Sequence, residues 1–361
     1  MSKQHIAILF GGKSPEHEVS IISARNIFKA IDKEKFDVSL IGIASDGQWY
    51  LENAENLLDE KCIIGKDNNI ISVIFGNREK AIYIIKTQQY LPKLDAVFPI
   101  THGPNGEDGS LQGILIHLDV PFVGPSVLAS AVSMDKDFTK KILRDAGIGH
   151  AKGVTLYKHQ INNIDYKQLA QELGDVLFIK PCNMGSSVGV TKVTNEQEFN
   201  DAIQLAFRFD NKVLVEKGVV GREIECAVLG NELVEASTVG EIIMNFGIYD
   251  FENKYINDTA AQLHIPAQNL TDTQIEKIRQ TAIKAYQALG IEGLSRVDVF
   301  LTEDDDVIIN EPNTLPGFTS VSMYPKLWEK SGLAYHLLIE KLIDLAIQRH
   351  TRDSQLKRNR I

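Results

Sequence analysis

Two short segments near the carboxyl-terminal end of the chain could form a metal and anion site. The segment RVDVFL places Arg296 and Asp298 on one face of a strand, because side chains alternate along a strand. The segment INEPN does the same with Glu311 and Asn313. If the two strands pair as a hairpin, one face carries three oxygen donors and a guanidinium, a set that suits Mg²⁺ beside an anion. An ordinary polar strand face would explain Asp298 alone, but it suits the full set less well.

A glycine- and serine-rich loop follows an apolar strand in the middle of the chain. In FIKPCNMGSSVGV, residues 178–190, Lys180 ends the strand and the loop contains Ser186 and Ser187. Backbone N–H groups, hydroxyl groups and a lysine charge are suitable partners for phosphate oxygens. The segment therefore indicates a phosphate-binding loop, although an ordinary mobile turn explains it equally well.

A later strand end could contact the base of a nucleotide. In VLVEKGVVGREIE, residues 213–225, Glu216 and Lys217 end an apolar strand just before two glycines. A carboxylate at a hinge between two lobes could accept a hydrogen bond from an adenine amino group. A solvated charge pair at a strand end is the more common arrangement, so this segment alone is a weak indication.

The segment FGGKSPEHEVS, residues 10–20, is close to two phosphate-binding patterns and matches neither. Gly12, Lys13 and Ser14 fit the end of the P-loop pattern, but Ala7 stands at the position of its leading glycine. The adjacent glycines also break the dinucleotide fingerprint G-x-G-x-x-G, which argues against a nicotinamide-dependent dehydrogenase.

We predict instead that the glycine pair ends the first strand and that a helix follows it. Ser14 would be the N-cap of this helix and Pro15 its first residue. This arrangement would direct Glu16 toward the carboxyl edge of a parallel sheet, where α/β folds bind their ligands. A carboxylate there could hold a substrate ammonium group, and Lys13 would be solvated.

Composition argues against several classes of function. The chain has 361 residues, of which 43% are apolar, and a formal net charge of −10, so it can form cores but lacks the basic surface of a nucleic-acid-binding protein. Cys62, Cys182 and Cys226 are too scattered for a disulfide framework or a zinc site and indicate a reducing compartment. The N-terminal apolar run is too short for a signal peptide, and no run approaches the ~20 apolar residues of a membrane helix. We therefore predict a cytoplasmic protein without a nucleic-acid or membrane partner.

Strands alternate with helices in the first third of the chain, which predicts a parallel α/β sheet. A smaller α+β unit follows, and then a third unit with strands on either side of the acidic turn TEDDD. We predict domains at residues 1–134, 135–221 and 222–361. The tail TRDSQLKRNRI lacks an apolar face and is expected to be solvated and frayed.

Taken in chain order, the phosphate loop, the strand-end segment and the hairpin resemble the ATP-grasp enzymes. The segments FGGKSPEHEVS, THGPNGEDGSLQG, MDKDFTK, KYIND and NEPNTLPGFTSVSMYP narrow the match. Over most of its length the chain resembles the D-alanine–D-alanine ligase family, whose members join two D-alanine molecules with ATP for peptidoglycan synthesis. The implied fold is a pre-ATP-grasp, Rossmann-like α/β domain followed by the two lobes of an ATP-grasp fold.

The resemblance implies roles for individual residues. The implied ATP contacts are Lys136, Lys180, Ser186, Ser187, Val188, Glu216, Lys217, Val219, Glu223 and Lys254. The implied ligands of two Mg²⁺ (or Mn²⁺) ions are Asp298, Glu311 and Asn313. The implied catalytic groups are Glu16, Ser186, Tyr255, Arg296 and the backbone N–H of Gly317. The implied substrate contacts are Glu16, Val19, His102, Ser322 and Met323.

Within this set, Glu16 matches the residue that holds the ammonium group of the first D-alanine, and Arg296 and Gly317 match groups that stabilise an oxyanion. Tyr255 matches a tyrosine of D-alanine-specific members, which closes a lid with Ser186 and Glu16 and implies D-alanine as the second substrate. The alternatives are a D-alanine–D-lactate or D-alanine–D-serine ligase and a non-catalytic nucleotide sensor. The resemblance also implies a homodimer.

Overall fold

The protein, seen in a computed structural model, is a mixed α/β structure whose described residues are 3–244 and 261–357. Its strands, numbered over these residues, are β1 (Gln4–Gly11), β2 (Phe36–Ile43), β3 (Trp49–Glu52), β4 (Ile71–Val73), β5 (Ile82–Ile84), β6 (Gln89–Tyr90), β7 (Ala96–Pro99), β8 (Gly153–Tyr157), β9 (Leu177–Pro181), β10 (Thr191–Val193), β11 (Lys212–Lys217), β12 (Arg222–Gly230), β13 (Glu235–Met244), β14 (Ala261–His264), β15 (Gly293–Leu301) and β16 (Val307–Asn313). Its helices are α1 (His17–Ala30), α2 (Ala54–Leu58), α3 (Ser110–His117), α4 (Val127–Met134), α5 (Lys136–Asp145), α6 (Tyr166–Leu173), α7 (Glu196–Phe209), α8 (Asp272–Ala288), α9 (Met323–Lys330) and α10 (Tyr335–Ser354).

The N-terminal sheet has the strand order β3-β2-β1-β7. β1 is parallel to β2 and β7, whereas β3 is antiparallel to β2. β1 is apolar over most of its length because both of its faces are covered, by α1 and α10 on one side and by α3 on the other. The predicted parallel α/β sheet is therefore confirmed, and its carboxyl edge carries the loops that begin at residues 12 and 100.

Two antiparallel sheets form most of the remainder of the described chain. One has the order β10-β9-β11-β8 and is covered by α6 and α7. The other has the order β14-β13-β12-β15-β16. α4, α5 and α8 pack on one face of this second sheet, and α9 and α10 pack on the other. A small sheet, β4-β5-β6, lies beside the N-terminal sheet.

The beginning of α1 differs from the prediction. Ser14 is not the N-cap, because α1 begins at His17 and its N-cap position is Glu16. The Ser14 hydroxyl accepts a hydrogen bond from the backbone N–H of Glu16 at 3.1 Å, so it stabilises the turn before the helix. Lys13 is exposed, as predicted.

The carboxyl-terminal tail is more ordered than expected. α10 runs to Ser354, beyond the point where the tail was predicted to fray. Arg349 is only 5% exposed and donates hydrogen bonds to the carbonyl oxygens of Phe122 and Gly124, which follow α3. The prediction of a frayed tail is therefore wrong for residues 351–354.

Within residues 3–244 and 261–357, no helix is both long and apolar enough to cross a bilayer. The three cysteines are free thiols. Burial raises the pKa of the Cys182 and Cys226 thiols to about 12, so both are protonated at neutral pH.

Candidate active site

A face of mixed charge lies on the hairpin that β15 and β16 form. The strands pair antiparallel, with Arg296 opposite Asn313 and Asp298 opposite Glu311. These side chains share a face because they occupy alternate positions, while the valines between them on β15 are buried on the other face. The hairpin predicted from the sequence is therefore confirmed.

A neighbouring strand adds a carboxylate that the sequence reasoning missed. β12 pairs with β15 so that Glu225 lies opposite Asp298. Arg296 contacts both carboxylates, with Nε 2.7 Å from Asp298 Oδ1 and 3.0 Å from Glu225 Oε2, and Nη2 2.7 Å from Asp298 Oδ2. Asn313 donates its amide N–H to Asp298 at 2.9 Å. These contacts fix the orientation of the guanidinium. The sequence offered one signal for Glu225. Side chains alternate along REIEC, so Glu225 lies on the same strand face as Glu223, which was predicted.

A cavity of about 200 Å³, here called the nucleotide cavity, lies between this face and the four-stranded antiparallel sheet. The predicted ATP or metal residues that border it are Lys136, Lys180, Ser187, Glu216, Lys217, Val219, Glu223, Asp298 and Glu311. Val188 lies in the adjoining turn, where its backbone N–H donates to the Gly185 carbonyl at 3.1 Å. Ammonium groups and carboxylates together line the walls, a combination that can bind phosphate oxygens and a cation.

Two of the predicted lysines make close polar contacts at this cavity. Lys180 Nζ lies 2.5 Å from Glu216 Oε2. Lys136, the first residue of α5, donates from Nζ to the carbonyl oxygen of Met184 at 2.6 Å and lies 3.8 Å from Glu311. Both ammonium groups therefore face the cavity from well-defined positions.

Glu216 is 4% exposed and also contacts the ammonium group of Lys140. Burial raises the pKa of Glu216, but Lys180 and Lys140 outweigh burial and lower this pKa to about 2. Burial likewise opposes the charge on Lys180, but Glu216 outweighs it and raises the pKa of Lys180. Lys140 was not predicted, although it lies four residues after Lys136 on a helix and therefore shares its face.

A second cavity, of about 90 Å³ and here called the amino-acid cavity, shares Glu311 with the nucleotide cavity. The predicted residues that border it are Glu16, His102, Ser186, Arg296, Glu311, Asn313, Gly317, Ser322 and Met323. Val19 is buried one turn further along α1 and is not among the described residues that border this cavity. The structure thus brings together side chains from all parts of the described chain.

Glu16 lies at the start of α1 and is 7% exposed. The Ser186 hydroxyl donates a hydrogen bond to its Oε1. Two glycines make room for the carboxylate, because a Cβ atom at Gly103 or Gly185 would lie only 2.9 Å or 3.1 Å from Oε2. Glu16 is thus positioned by the loop after β7 and by the loop after β9.

A clasp, formed by His102 and Glu107, holds the backbone at Leu315. His102 Nδ1 bonds the Leu315 carbonyl oxygen at 2.9 Å, so Nδ1 is the protonated nitrogen. Glu107 accepts from the Leu315 N–H at 2.9 Å and from the Gly103 N–H at 2.7 Å. Burial lowers the pKa of His102, which leaves its ring neutral. Glu107 was missed because only the fold brings the loop after β7 to the segment that contains Gly317.

The N-terminus of α9 faces the amino-acid cavity. Ser322 is the N-cap residue of α9, and its Oγ accepts from the Thr319 N–H at 3.0 Å. Met323, the first helical residue, also borders the cavity. Backbone N–H groups at a helix N-terminus favour a carboxylate, so this edge of the cavity can bind one.

The sequences of known proteins place the chain in a family. The family described as "D-ala D-ala ligase N-terminus" matches residues 5–125, and the family described as "D-ala D-ala ligase C-terminus" matches residues 142–344. The chain belongs to the D-alanine–D-alanine ligase family. It is similar to the D-alanine–D-alanine ligase of Shouchella clausii (strain KSM-K16), with 53% identity over 99% of this chain and 98% of that protein. It is also similar to D-alanine–D-alanine ligase A of Salmonella typhimurium (strain LT2), with 51% identity over 99% of each.

Solved structures of ligases have the same fold. The D-alanine–D-alanine ligase from Coxiella burnetii has a TM-score of 0.86 and 38% identity, covering 98% of each chain. The VanG D-Ala:D-Ser ligase from Enterococcus faecalis has a TM-score of 0.86 and 39% identity, covering 96% of this chain and 100% of that one. D-alanine–D-alanine ligases have the ATP-grasp fold, so the predicted fold class is confirmed.

Two of the residues predicted for this ligase family lie where the structure is not described. Lys254 and Tyr255 lie in residues 245–260, outside the described part of the chain. Among the described residues, no group of three or more His, Cys, Asp or Glu side chains is arranged to hold a metal ion. The predicted metal ligands are instead two carboxylates and a carboxamide, Asp298, Glu311 and Asn313, and this all-oxygen donor set fits Mg²⁺.

The buried carboxyl group of the clasp leads to a prediction about stability. Burial and the nearby Glu16 carboxylate raise the pKa of Glu107 to about 8, from an ordinary value of 4.5. Between these pH values the folded ligase holds a proton that the unfolded chain has lost, so its stability falls as the pH rises. Glu107→Gln removes this effect. Between about pH 5 and about pH 9 the free energy of unfolding of wild type should therefore fall by a few kcal/mol more than that of the variant, since one pKa unit corresponds to about 1.4 kcal/mol. Urea titrations of both proteins measure this difference, and parallel pH dependences would contradict it.

Proposed function

We propose that this chain catalyses the ATP-dependent ligation of two D-alanine molecules to D-alanyl-D-alanine, with ADP and phosphate as the other products. The observation that carries the proposal is that Glu311 borders both cavities, so a nucleotide phosphate in one can meet a carboxylate in the other. Membership of the ligase family supports the choice of substrates.

We assign the larger cavity to ATP. Lys136 and Lys180 would contact the phosphates, and Lys254 would reach the phosphoryl group that is transferred. The loop residues proposed to close over the phosphates are Ser186, Ser187 and Val188. The residues proposed around the base and the ribose are Glu216, Lys217, Val219 and Glu223. Because two lysines contact the Glu216 carboxylate, backbone groups at this strand end are better placed than that carboxylate to contact the adenine.

Asp298, Glu311 and Asn313 would hold two Mg²⁺ ions, or Mn²⁺ in their place, together with phosphate oxygens. When bound, the metal neutralises negative charge on the phosphates. Asp298 is already oriented for this task, because Arg296 and Asn313 donate hydrogen bonds to it.

The amino-acid cavity would hold the two substrates. Glu16 would bind the ammonium group of the first D-alanine, with Val19 near its methyl group and His102 near its carboxylate. Ser322 and Met323 would bind the carboxylate of the second D-alanine at the N-terminus of α9. Tyr255 would complete the hydrogen-bonded pair of Glu16 and Ser186 and exclude water, which would otherwise hydrolyse the acyl phosphate.

The reaction needs no enzyme nucleophile. A carboxylate oxygen of the first D-alanine attacks the γ-phosphorus of ATP, the bond from that phosphorus to ADP breaks, and an acyl phosphate forms. The amine of the second D-alanine then attacks the acyl carbon. The oxyanion of the tetrahedral intermediate would face Arg296 and the Gly317 N–H. The carbon–oxygen bond to phosphate breaks, phosphate leaves with the electron pair, and the new amide loses a proton.

Glu16→Gln is expected to raise the KM for the first D-alanine by about tenfold to 100-fold, because a charge-assisted hydrogen bond to an ammonium group becomes a neutral one. The KM for ATP should change little. Steady-state rates with D-alanine varied at saturating ATP measure the effect. Glu18→Gln is the matched control, since Glu18 is exposed on the same helix. An unchanged D-alanine KM would remove Glu16 from the site.

The proposed function is tested by product analysis. D-alanine, D-lactate and D-serine compete as second substrates at neutral pH, and ADP and the ligated product are quantified. D-alanyl-D-alanine should dominate, with ADP formation dependent on D-alanine. A dominant depsipeptide or D-alanyl-D-serine would reject D-alanine as the second substrate. No ADP formation with any D-amino acid would favour a non-catalytic nucleotide sensor.

Family membership also supports four broader proposals. These are a cytoplasmic location, a homodimer, a role in peptidoglycan precursor synthesis, and three domains at residues 1–134, 135–221 and 222–361. The ATP-grasp fold would then consist of the second and third domains.

A further inference from the structure

Lys140 is a nearly buried lysine that the proposed reaction does not use. It lies on α5 one turn after Lys136 and is 9% exposed. Its ammonium group contacts the Glu216 carboxylate and lies 3.4 Å from the carbonyl oxygen of Ala151. A lysine buried in this way has a high desolvation cost, so its position calls for a physical reason.

The reason lies in the charge balance around Glu216. Burial lowers the pKa of Lys140, and the Glu216 carboxylate opposes this shift. That carboxylate is shared between Lys140 and Lys180, so with both ammonium groups protonated this buried cluster carries one net positive charge. Without Lys140, Glu216 would pair with Lys180 alone, and the two charges would cancel. Lys180 and Glu216 both border the nucleotide cavity, as do Gly185 and Ser187 of the phosphate loop, and Lys180 is the cation of this pair.

Carboxylates outnumber lysines, by five to three, among the described residues that border this cavity. Besides Glu216, its lining contains the carboxylates of Glu223, Glu225, Asp298 and Glu311. Lys140 is not among the described residues that border the cavity, whereas its contacts Glu216 and Ala151 are, so it can act on a ligand through them.

We propose that Lys140 is a positioning residue of the nucleotide site, which holds Glu216 so that the Lys180 charge remains available to the phosphates of the bound nucleotide. The proposal rests on the proposed function for its assignment of this cavity to ATP. It predicts an effect that depends on the phosphates and not on the base.

The test compares nucleotide affinities by isothermal titration calorimetry. Lys140→Met is expected to weaken ATP and ADP binding by about tenfold to 100-fold, the range expected for a charge-assisted contact, and to leave adenosine binding unchanged. Lys140→Arg keeps the charge and should bind ATP within about threefold of wild type. If Lys140→Met does not fold, Lys140→Gln is measured in its place.

Lys141→Met is a matched control on the same helix. The Asp137 carboxylate contacts two lysines, Lys141 and Lys212, just as Glu216 contacts Lys140 and Lys180. Lys141→Met therefore also removes one of the two lysines that contact a carboxylate. It lies away from the cavity and should not change ATP affinity.

A second variant separates charge balance from simple structural support. In Lys140→Met/Glu216→Gln, the carboxylate that contacts Lys180 is removed as well, so ATP affinity should recover relative to Lys140→Met. Equal weakening of ATP and adenosine, no recovery in the double variant, or the same loss in Lys141→Met would overturn the proposal. Absence of ligation by wild type would reject the proposed function, and these binding results would still decide the role of Lys140.

Discussion

Replacing Arg296 with alanine is expected to lower kcat by about 100-fold to 1,000-fold, the range seen when one oxyanion-stabilising donor is lost. The KM for ATP should change by less than about threefold, because Arg296 borders the amino-acid cavity and not the nucleotide cavity, and Asn313 still donates a hydrogen bond to the proposed metal ligand Asp298 when Arg296 is removed. Charge develops on the oxyanion only as the tetrahedral intermediate forms, so the loss should appear in the rate and not in substrate binding. Steady-state kinetics with ATP and D-alanine varied separately measure both quantities.

The chain offers a matched control for Arg296→Ala. Arg222 lies on the same sheet and makes an equivalent two-point contact, with Nε and Nη2 each 2.7 Å from the carboxylate of Glu241. Arg222→Ala should cost stability without a comparable loss of kcat. If Arg296→Ala reduces turnover and ATP affinity equally, the oxyanion role is rejected.

Glu311→Gln is expected to cause the second large loss. The change keeps the size of the side chain and removes one of the two anionic ligands proposed for the metal. Loss of a group that only supports a metal ligand typically lowers metal affinity or activity by about 10-fold to 100-fold. Loss of a ligand itself should therefore lower kcat by roughly 100-fold or more. Dialysis against a chelator should abolish the activity of wild type, and added Mg²⁺ should restore it.

Metal affinity is measured directly as well as through activity. Titration with Mn²⁺, followed by the electron paramagnetic resonance signal of the unbound ion, should show weaker binding to Glu311→Gln in the presence of ADP. Glu303→Gln is the control, since Glu303 lies in the exposed turn of the same hairpin. Unchanged Mn²⁺ affinity in Glu311→Gln would remove Glu311 from the proposed metal site.

Local patterns were sufficient to predict the hairpin face. Side chains alternate along a strand, so the spacing of Arg296 from Asp298 and of Glu311 from Asn313 placed all four on one face once the strands were assumed to pair. The lysine at the end of β9 was found in the same way, because a strand end followed by a glycine-rich loop is a local feature. The parallel pairing of β1 with β2 and β7 also followed from a local alternation of strands and helices, although the order of the strands did not.

Contacts between distant segments could not be predicted in this way. Glu225 meets Arg296 because β12 lies next to β15, and strand order is a property of the whole sheet. Glu107 meets Leu315 only because the N-terminal sheet packs beside the segment after β16. Lys140 differs from these, since its helical position was readable from the sequence but its partner Glu216 lies on another element. The prediction that Ser14 is the N-cap of α1 was wrong because Ser14 lies in a turn that precedes the helix, which begins only at His17.

The position of α10 has a consequence for how the protein is made. α10 supplies Leu338 and Leu342 to the same apolar cluster as Ile6 and Ile8 of β1, although almost the whole described chain separates them. A ribosome synthesises β1 and α1 early and α10 late, so the part of this face that α10 covers stays exposed while most of the chain is translated. The nascent N-terminal segment therefore exposes an apolar surface until α10 has left the exit tunnel.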